Sequence, residues 1–309
     1  MKIVVTGSLG NISRPLIEFL VHQGHQVTVI SSDRNKTSRI ASMGAKAAIG
    51  SIADASFLEN TFEGADAVFA MIPLDSTQED LGVYMRQMAH NYVEAIRASE
   101  IKRVVILSGW AADLIEAENI EHIFGELDVS ITFLRPAIFY TNFYQSMELI
   151  RGKGLMGKLL ALRYYGISSL WNGKTGLLMG NYGGEDRVVF VAPEDIAIVA
   201  AEELIQLPDQ RSIRYVGSEE MTCNEAAKII GNAIGKPWLK WVLLSDKKMM
   251  QGFKMAKMPA KLASILTNMQ AAIHSGKALE NFHKNGAKMG HVKLSRFAAE
   301  FAQVYHRKS

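Results

Sequence analysis

Along the first half of the chain, short apolar runs alternate with longer stretches in which apolar residues recur every three or four positions. Runs of the first kind read as strands and stretches of the second as amphipathic helices. Strands are predicted at residues 3–5, 26–30, 45–49, 67–72, 103–107 and 130–134. Ile12, Leu16 and Leu20, four apart with Phe19 beside them, mark the first helix. Shorter helices are predicted at 39–43 and 56–61, and another between 112 and 127. The stretch 81–99 reads as a long helix whose inner face carries Val83, Met88, Tyr92, Val93 and Ile96. This alternation at this spacing predicts an α/β fold, a doubly wound parallel sheet with helices on both faces.

Beyond about residue 140 the pattern loosens. Residues 151–182 are rich in Gly, Leu and aromatics without a clean period. A strand at 187–191, a helix at 193–206 with Asp195 near its start and a strand at 211–216 follow, and the last ninety residues are mostly helical in pattern. The expected organisation is a Rossmann-like, NAD(P)-binding domain over 1–140 that also receives a strand and a helix from about 187–206. A discontinuous, largely helical substrate or lid region over 141–309 completes the chain.

The first strand ends at Thr6 and gives way to Gly7, Gly10 and Ser13 before the helical pattern begins. Gly7 can adopt backbone angles closed to other residues, and Gly10 lets the main chain approach a ligand closely. A helix N-terminus presents unpaired N–H groups and a positive dipole end, on which a dinucleotide pyrophosphate would sit. Gly7, Leu9, Gly10, Asn11 and Ile12 are therefore the predicted pyrophosphate contacts. Ser13 replaces the third glycine of the usual fingerprint and is small enough for close helix–strand packing to survive.

Composition narrows the classes. The 309 residues are 48% hydrophobic and 21% charged, with a net charge of +3, so nothing demands nucleic acid or an anionic membrane as partner. Cys223 is the single cysteine, which excludes an internal disulfide and a cysteine-rich metal site. The eight histidines show no metal-ligand spacing, and no metal is expected. No charged-then-apolar leader precedes the first strand and no apolar run reaches membrane-spanning length, so a soluble, cytoplasmic protein is expected.

Several motifs stand in a consistent order: Thr-Gly-x-x-Gly at 6–10, Asp-Ala-Val-Phe at 66–69, a strand ending in Ser108, Leu-Arg-Pro at 134–136 followed by an aromatic and Asn142-Phe143, Pro-x-Asp-Ile-Ala at 193–197 and a strand exit near Tyr215 to Glu219. In these the chain resembles the atypical short-chain dehydrogenase/reductases of the NmrA-like, NAD(P)H-quinone-oxidoreductase-like group. The resemblance implies a Rossmann fold and an NAD(P) cofactor. It also implies either hydride transfer to a small quinone or carbonyl acceptor, or a non-catalytic redox sensor acting through a protein partner. Short-chain dehydrogenases use a Tyr-x-x-x-Lys pair as proton donor. None of the nine tyrosines here is followed four residues later by lysine. Glu118 and His122 lie near where that pair would stand.

The remaining candidates surround the expected cofactor. Ser31 occupies the end of the second strand, where an acid would bind both ribose hydroxyls and select NAD(H). Ser32, Arg34 and Lys36 follow and would suit a 2′-phosphate, which favours NADP(H); the plain alternative is a polar loop in which Asp33 pairs with Arg34. Met71, Ile72 and Pro73 should border a ribose at the switch point of the sheet. Ser108 would face the nicotinamide, as pocket hydroxyl or catalytic group, and Phe139 and Tyr140 would wall that pocket or simply pack. His122 could serve as acid/base or lie on a helix surface, and Trp110 could cover a planar ring or plug the sheet edge. Gly152 to Lys158 imitates a phosphate loop but lacks the following Ser/Thr and a preceding strand. Residues 245–261, rich in Met and Lys, read as a lid, a partner or membrane-surface helix, or a helix with a solvated basic face, the last being the simplest.

Overall fold

Val4, Val68, Val104 and Ile106 pack on one side of a parallel sheet, while Ile3, Val5, Phe69 and Val105, at the alternate positions, turn to the other. Both sides are buried, which is why these strands read as continuous apolar runs. The computed structural model describes residues 1–75, 77–78, 80–114, 120–206 and 211–307. The chain divides into two units, the first made of Met1–Pro136, Pro193–Val216 and Asn285–Lys288, the second of Ala137–Ala192, Gly217–Lys284 and Met289–Ser309.

The first unit holds strands β1 (Lys2–Val5), β2 (Gln26–Ser31), β3 (Lys46–Ile49), β4 (Ala67–Ala70), β5 (Arg103–Leu107) and β6 (Ser130–Pro136). A later strand, β10 (Ser212–Gly217), pairs in parallel with β6. The order is β3-β2-β1-β4-β5-β6-β10, with the short β13 (Lys288–Met289) at the outer edge. The chain winds outward from β1 through β2 to β3, then crosses to β4 on the other side. The crevice outside the carboxyl ends of β1 and β4 is thus the topological switch point. Helices α1 (Ser13–His22) and α10 (Pro193–Ile205) pack together, as do α3 (Ala55–Phe62), α4 (Leu81–Ala98) and the single turn α5 (Glu121–Phe124). The short α2 (Thr37–Ser42) leads into β3. Asp54 and Asp80 cap α3 and α4 through their carboxylates, each accepting from the backbone three residues on.

Three expectations are corrected. The strand at 187–191 does not join this sheet, whose late strand is β10, whereas the helix at 193–205 does belong to the first unit. Val83 is exposed on α4, whereas Met88, Tyr92, Val93 and Ile96 are buried as the periodicity requires. Within the described residues, the helix expected between 112 and 127 is reduced to α5.

In the second unit, β9 (Arg187–Val191) lies between parallel β7 (Ile138–Phe139) and antiparallel β11 (Glu219–Thr222). A separate parallel pair joins β8 (Leu178–Gly180) to β12 (Trp241–Leu243). Its helices are α6 (Asn142–Gln145), α7 (Met147–Arg151), α8 (Gly154–Tyr165), α9 (Ser169–Asn172), α11 (Cys223–Ala233), α12 (Asp246–Met255), α13 (Ala260–His274), α14 (Lys277–Lys284) and α15 (Leu294–Arg307). Its core is aromatic: Tyr140, Phe143, Phe190 and Phe297 have ring centroids 5.7–6.3 Å apart. Helix α8 occupies part of the stretch that showed no clean period.

Candidate functional site

The carboxyl ends of β2, β1, β4, β5 and β6 stand side by side, and the candidate residues of the first unit fall along this row. At β1 the chain turns at Gly7, whose φ of +85° is the left-handed region glycine tolerates. A Cβ there would stand 2.3 Å from the Met71 sulfur and 2.6 Å from Ser13 Oγ, so the close packing of the turn admits glycine alone. Ser13 is fully buried and donates its hydroxyl to the Thr6 carbonyl at 2.7 Å. The replacement of the third fingerprint glycine is thereby absorbed into the packing. Helix α1 opens after Ile12 with no side-chain cap and no acidic residue in its first turn. Its amide groups face the turn around exposed Gly10, an arrangement that fits a pyrophosphate.

Thr6 ties this turn to the end of β4. Its hydroxyl donates to the Phe69 carbonyl at 3.1 Å and accepts from the Met71 N–H at 2.9 Å. The buried Tyr92 hydroxyl on α4 donates to the Met71 carbonyl at 3.0 Å. Met71 is thus held on both sides, with Ile72 buried and Pro73 exposed beyond it. Burial raises the Tyr92 phenol above its ordinary range, so it acts here as a neutral donor.

At the end of β2, buried Ser31 accepts a hydrogen bond from Ser8 Oγ at 2.9 Å and one from the Asp33 N–H at 3.2 Å. The Asp33 carboxylate accepts from the Asn35 N–H at 3.0 Å, stabilising the short 3-10 turn Arg34–Lys36. Ser32 and Arg34 are exposed and Lys36 is half-buried. Their hydroxyl, guanidinium and ammonium groups fit a 2′-phosphate, and the one acid of the loop is engaged with backbone.

At the ends of β5 and β6 lies a network that the sequence only hinted at. Ser108 Oγ donates to Glu121 Oε1 at 2.5 Å. Arg135 grips the same carboxylate with two donors, Nε to Oε1 at 2.9 Å and Nη2 to Oε2 at 2.7 Å. Arg135 Nη1 donates to the Tyr215 hydroxyl at 2.8 Å, and Asp113 stands 3.5 Å from the same nitrogen. Arg135 and Tyr215 are neighbours in the β6–β10 register, the guanidinium lying 5.5 Å from the ring centroid. Burial opposes the charge on Arg135, but the hydrogen bonds and charge of Glu121 outweigh it and hold the guanidinium firmly protonated. Burial raises Tyr215, with Arg135 pulling the other way.

Among the catalytic candidates, Ser108 joins this network and His122 does not. His122 is exposed on α5, lining an open groove of about 580 Å³ with Asp113, Glu121, Phe133, Arg135 and Arg211. The buried acid is its neighbour Glu121, and Glu118 lies outside the described residues. Glu121, Arg135 and Tyr215 were not singled out as a site. The available signal was Arg135 itself, a cation inside an apolar strand, which must find a counter-charge when buried. Phe139 and Tyr140 belong to the second unit. Tyr140 is fully buried, with Phe190 and Phe297 stacked on it and its hydroxyl near Glu219 and the Val292 carbonyl. These contacts pack the ring into the core of the second unit. Trp110 is likewise buried.

Residues 7–144 match a family model described as NAD(P)H-binding. The chain shares a Rossmann-like NAD(P)-binding fold with solved structures. It is similar to an NAD(P)H azoreductase of Xenophilus azovorans, 23% identical over 278 residues that cover 87% of this chain and 86% of the relative. Among solved structures, it superimposes on an NADPH-dependent quinone oxidoreductase of Escherichia coli complexed with NADPH. That match has a TM-score of 0.72 and 17% identity, covering 97% of this chain and 99% of the other. The negative transcriptional regulator NmrA in complex with NADP also shares the fold, with a TM-score of 0.66, 13% identity and coverage of 99% and 97%.

Proposed function

We propose that the protein is an NADPH-dependent oxidoreductase that passes hydride to a small conjugated acceptor of the quinone type. The observation that carries this reading is the continuous row from Ser32 and Arg34 through the uncapped α1 N-terminus and Met71 to Ser108, all on the carboxyl edge of one sheet. Gly7 to Ile12 would hold the pyrophosphate, Ser32, Arg34 and Lys36 the 2′-phosphate, and Met71 to Pro73 a ribose. The cofactor supplies the hydride when bound. Similarity to a quinone oxidoreductase crystallised with NADPH and to an NAD(P)H azoreductase supports the cofactor and the acceptor class.

The chain's own groups argue for the kind of acceptor. Ser108 commits its proton to Glu121, so its oxygen is left to accept a hydrogen bond and orient a ligand N–H or O–H. Burial raises Tyr92, Tyr182 and Tyr215, the opposite of the lowered pKa that activates a tyrosine acid. An isolated carbonyl builds an alkoxide that needs a proton during the reaction, whereas a conjugated quinone spreads the charge and can take its proton from water afterwards. The NADP-bound regulator of the same fold supports a second reading, a cofactor-binding sensor acting through a protein partner.

The test is NADPH oxidation at saturating cofactor with quinones, azo compounds, aldehydes and no acceptor. Turnover of quinones over aldehydes is expected, with His122→Ala lowering it about ten-fold or less. Preference for aldehydes with collapse in His122→Ala would overturn the quinone reading. Tight NADPH binding without turnover of any acceptor would move the protein to the sensor reading. Gly10→Val places a branched side chain where the pyrophosphate must approach, and undiminished NADPH affinity in that variant would remove the cofactor site from this turn.

A further inference from the structure

Helix α8 packs inward through its smallest residues. A Cβ on Gly157 would stand 2.1 Å from the Gly152 carbonyl oxygen, and Ala161, one turn on, is buried with it. That close approach fixes which side of the helix faces protein. The opposite side presents Leu155, Leu159 and Leu162, spaced four and three apart, with Met156 beside them. Leu155 is 76% exposed, and past the helix Ile167 and Trp171 are exposed as well, Trp171 to 77%. Single exposed apolar residues are ordinary on a monomer, but six within seventeen positions form a patch that marks an interaction surface.

The charge around this patch selects its partner. No acidic residue occurs between Glu148 and Glu185, while Lys153, Lys158, Arg163 and Lys174 are exposed around it. Lys158 and Arg163 flank the leucine stripe on either side. A second copy of the chain docking here would bring like charges together. An anionic lipid surface meets both requirements, since apolar side chains enter the headgroup boundary, tryptophan favours that depth, and lysine and arginine remain with the phosphates. No helix among the described residues is long and apolar enough to cross a membrane, so the contact is a peripheral one. We propose that α8 and α9 form a surface that lies on anionic bilayers. This rests on the second unit alone and is independent of the reaction proposed above.

Trp171 provides the readout, because Trp110 and Trp241 are buried and Trp238 is half-buried. The full-length protein is mixed with phosphatidylcholine vesicles, with or without roughly a third phosphatidylglycerol, and followed by tryptophan emission and co-sedimentation. Binding at least ten-fold tighter to the anionic vesicles is expected, with a blue shift absent from Trp171→Phe and a decline as salt rises. Lys158→Gln with Arg163→Gln should weaken binding about 30-fold, from roughly a factor of five for each cation near the surface. Leu155→Gln with Leu159→Gln should abolish the blue shift. Thermal unfolding of each variant checks the fold, and if the leucine pair disturbs it, the exposed cation pair decides. No binding, or equal binding to neutral and anionic vesicles, would overturn the proposal. So would a blue shift that rises with protein concentration in the absence of lipid, which would assign the patch to a second copy.

Discussion

Replacing Glu121 by Gln keeps the shape of the network at the ends of β5 and β6 but removes its charge. At 2.7–2.9 Å, the attraction between Glu121 and Arg135 amounts to about 6 kcal/mol with an effective dielectric constant near 20. Desolvation of both buried groups takes back several kcal/mol, so the pair adds little net stability. Breaking one half is another matter. Arg135, only 5% exposed, keeps its charge and loses its bidentate partner, which typically costs about 3–5 kcal/mol. Asp113, at 3.5 Å and 35% exposed, offers partial compensation, which favours the lower end. At about 2–4 °C per kcal/mol for a domain of this size, Glu121→Gln should lower the melting temperature by roughly 10 °C. Glu121→Leu combined with Arg135→Leu should recover most of the loss, because no unpaired charge remains. Scanning calorimetry of Glu121→Leu, Arg135→Leu and the double variant closes the cycle. A Glu121→Gln protein that melts within about 2 °C of wild type would refute the reasoning, since the charge would then be solvated in some other way.

Arg34→Ala should remove most of a ten- to hundred-fold preference for NADPH over NADH while leaving NADH binding nearly unchanged, read by calorimetry; equal affinities in the wild type would return Asp33 to an NAD-type role. Lys236 donates to the carbonyls of Ile150, Arg151 and Thr175, and burial, with Lys153 adding to it, pushes its ammonium down to about 8. The charged form is disfavoured in the folded state. Its penalty is therefore full below pH 8 and lifted as pH rises toward 10.5, so stability relative to Lys236→Met should increase over that window. Cys223 is buried at the start of α11, and burial followed by Asp186 and Glu185 raises its thiol far above the ordinary range. The native protein should resist thiol reagents at pH 8 and react stoichiometrically once unfolded; rapid labelling of the native form would contradict the buried placement.

What the sequence revealed followed the range of the interactions involved. The turn from Thr6 to Ser13 was readable because its causes are local: a positive φ at Gly7, a helix start and a small residue at 13. Most buried positions of α4 were readable because large apolar residues repeat at helical spacing. Helix α8 was not, since its inner face uses Gly157 and Ala161 and its large residues point outward, which inverts the usual signal. The strand at 187–191 went to the wrong sheet because an apolar run states that a strand is buried and not beside which strand it lies. Tyr215 becomes a partner of Arg135 only after β10 has paired with β6, a contact 80 residues apart in sequence.

The same threading of the chain governs its biosynthesis. Strand β6 is complete at Pro136, yet β10, which covers its edge, ends only at Gly217. At about 5–20 residues per second, a ribosome leaves that edge open for roughly 4–16 s. During this interval Ile131, Phe133 and Leu134 sit on a strand paired on one side only, whose open edge is a template for pairing with another chain. Arg103 is equally unprovided for, because the Glu203 that neutralises it lies 100 residues downstream. A fragment ending near residue 140 should accordingly aggregate rather than fold, and the nascent chain is a natural client for a chaperone that shields strand edges until β10 has emerged.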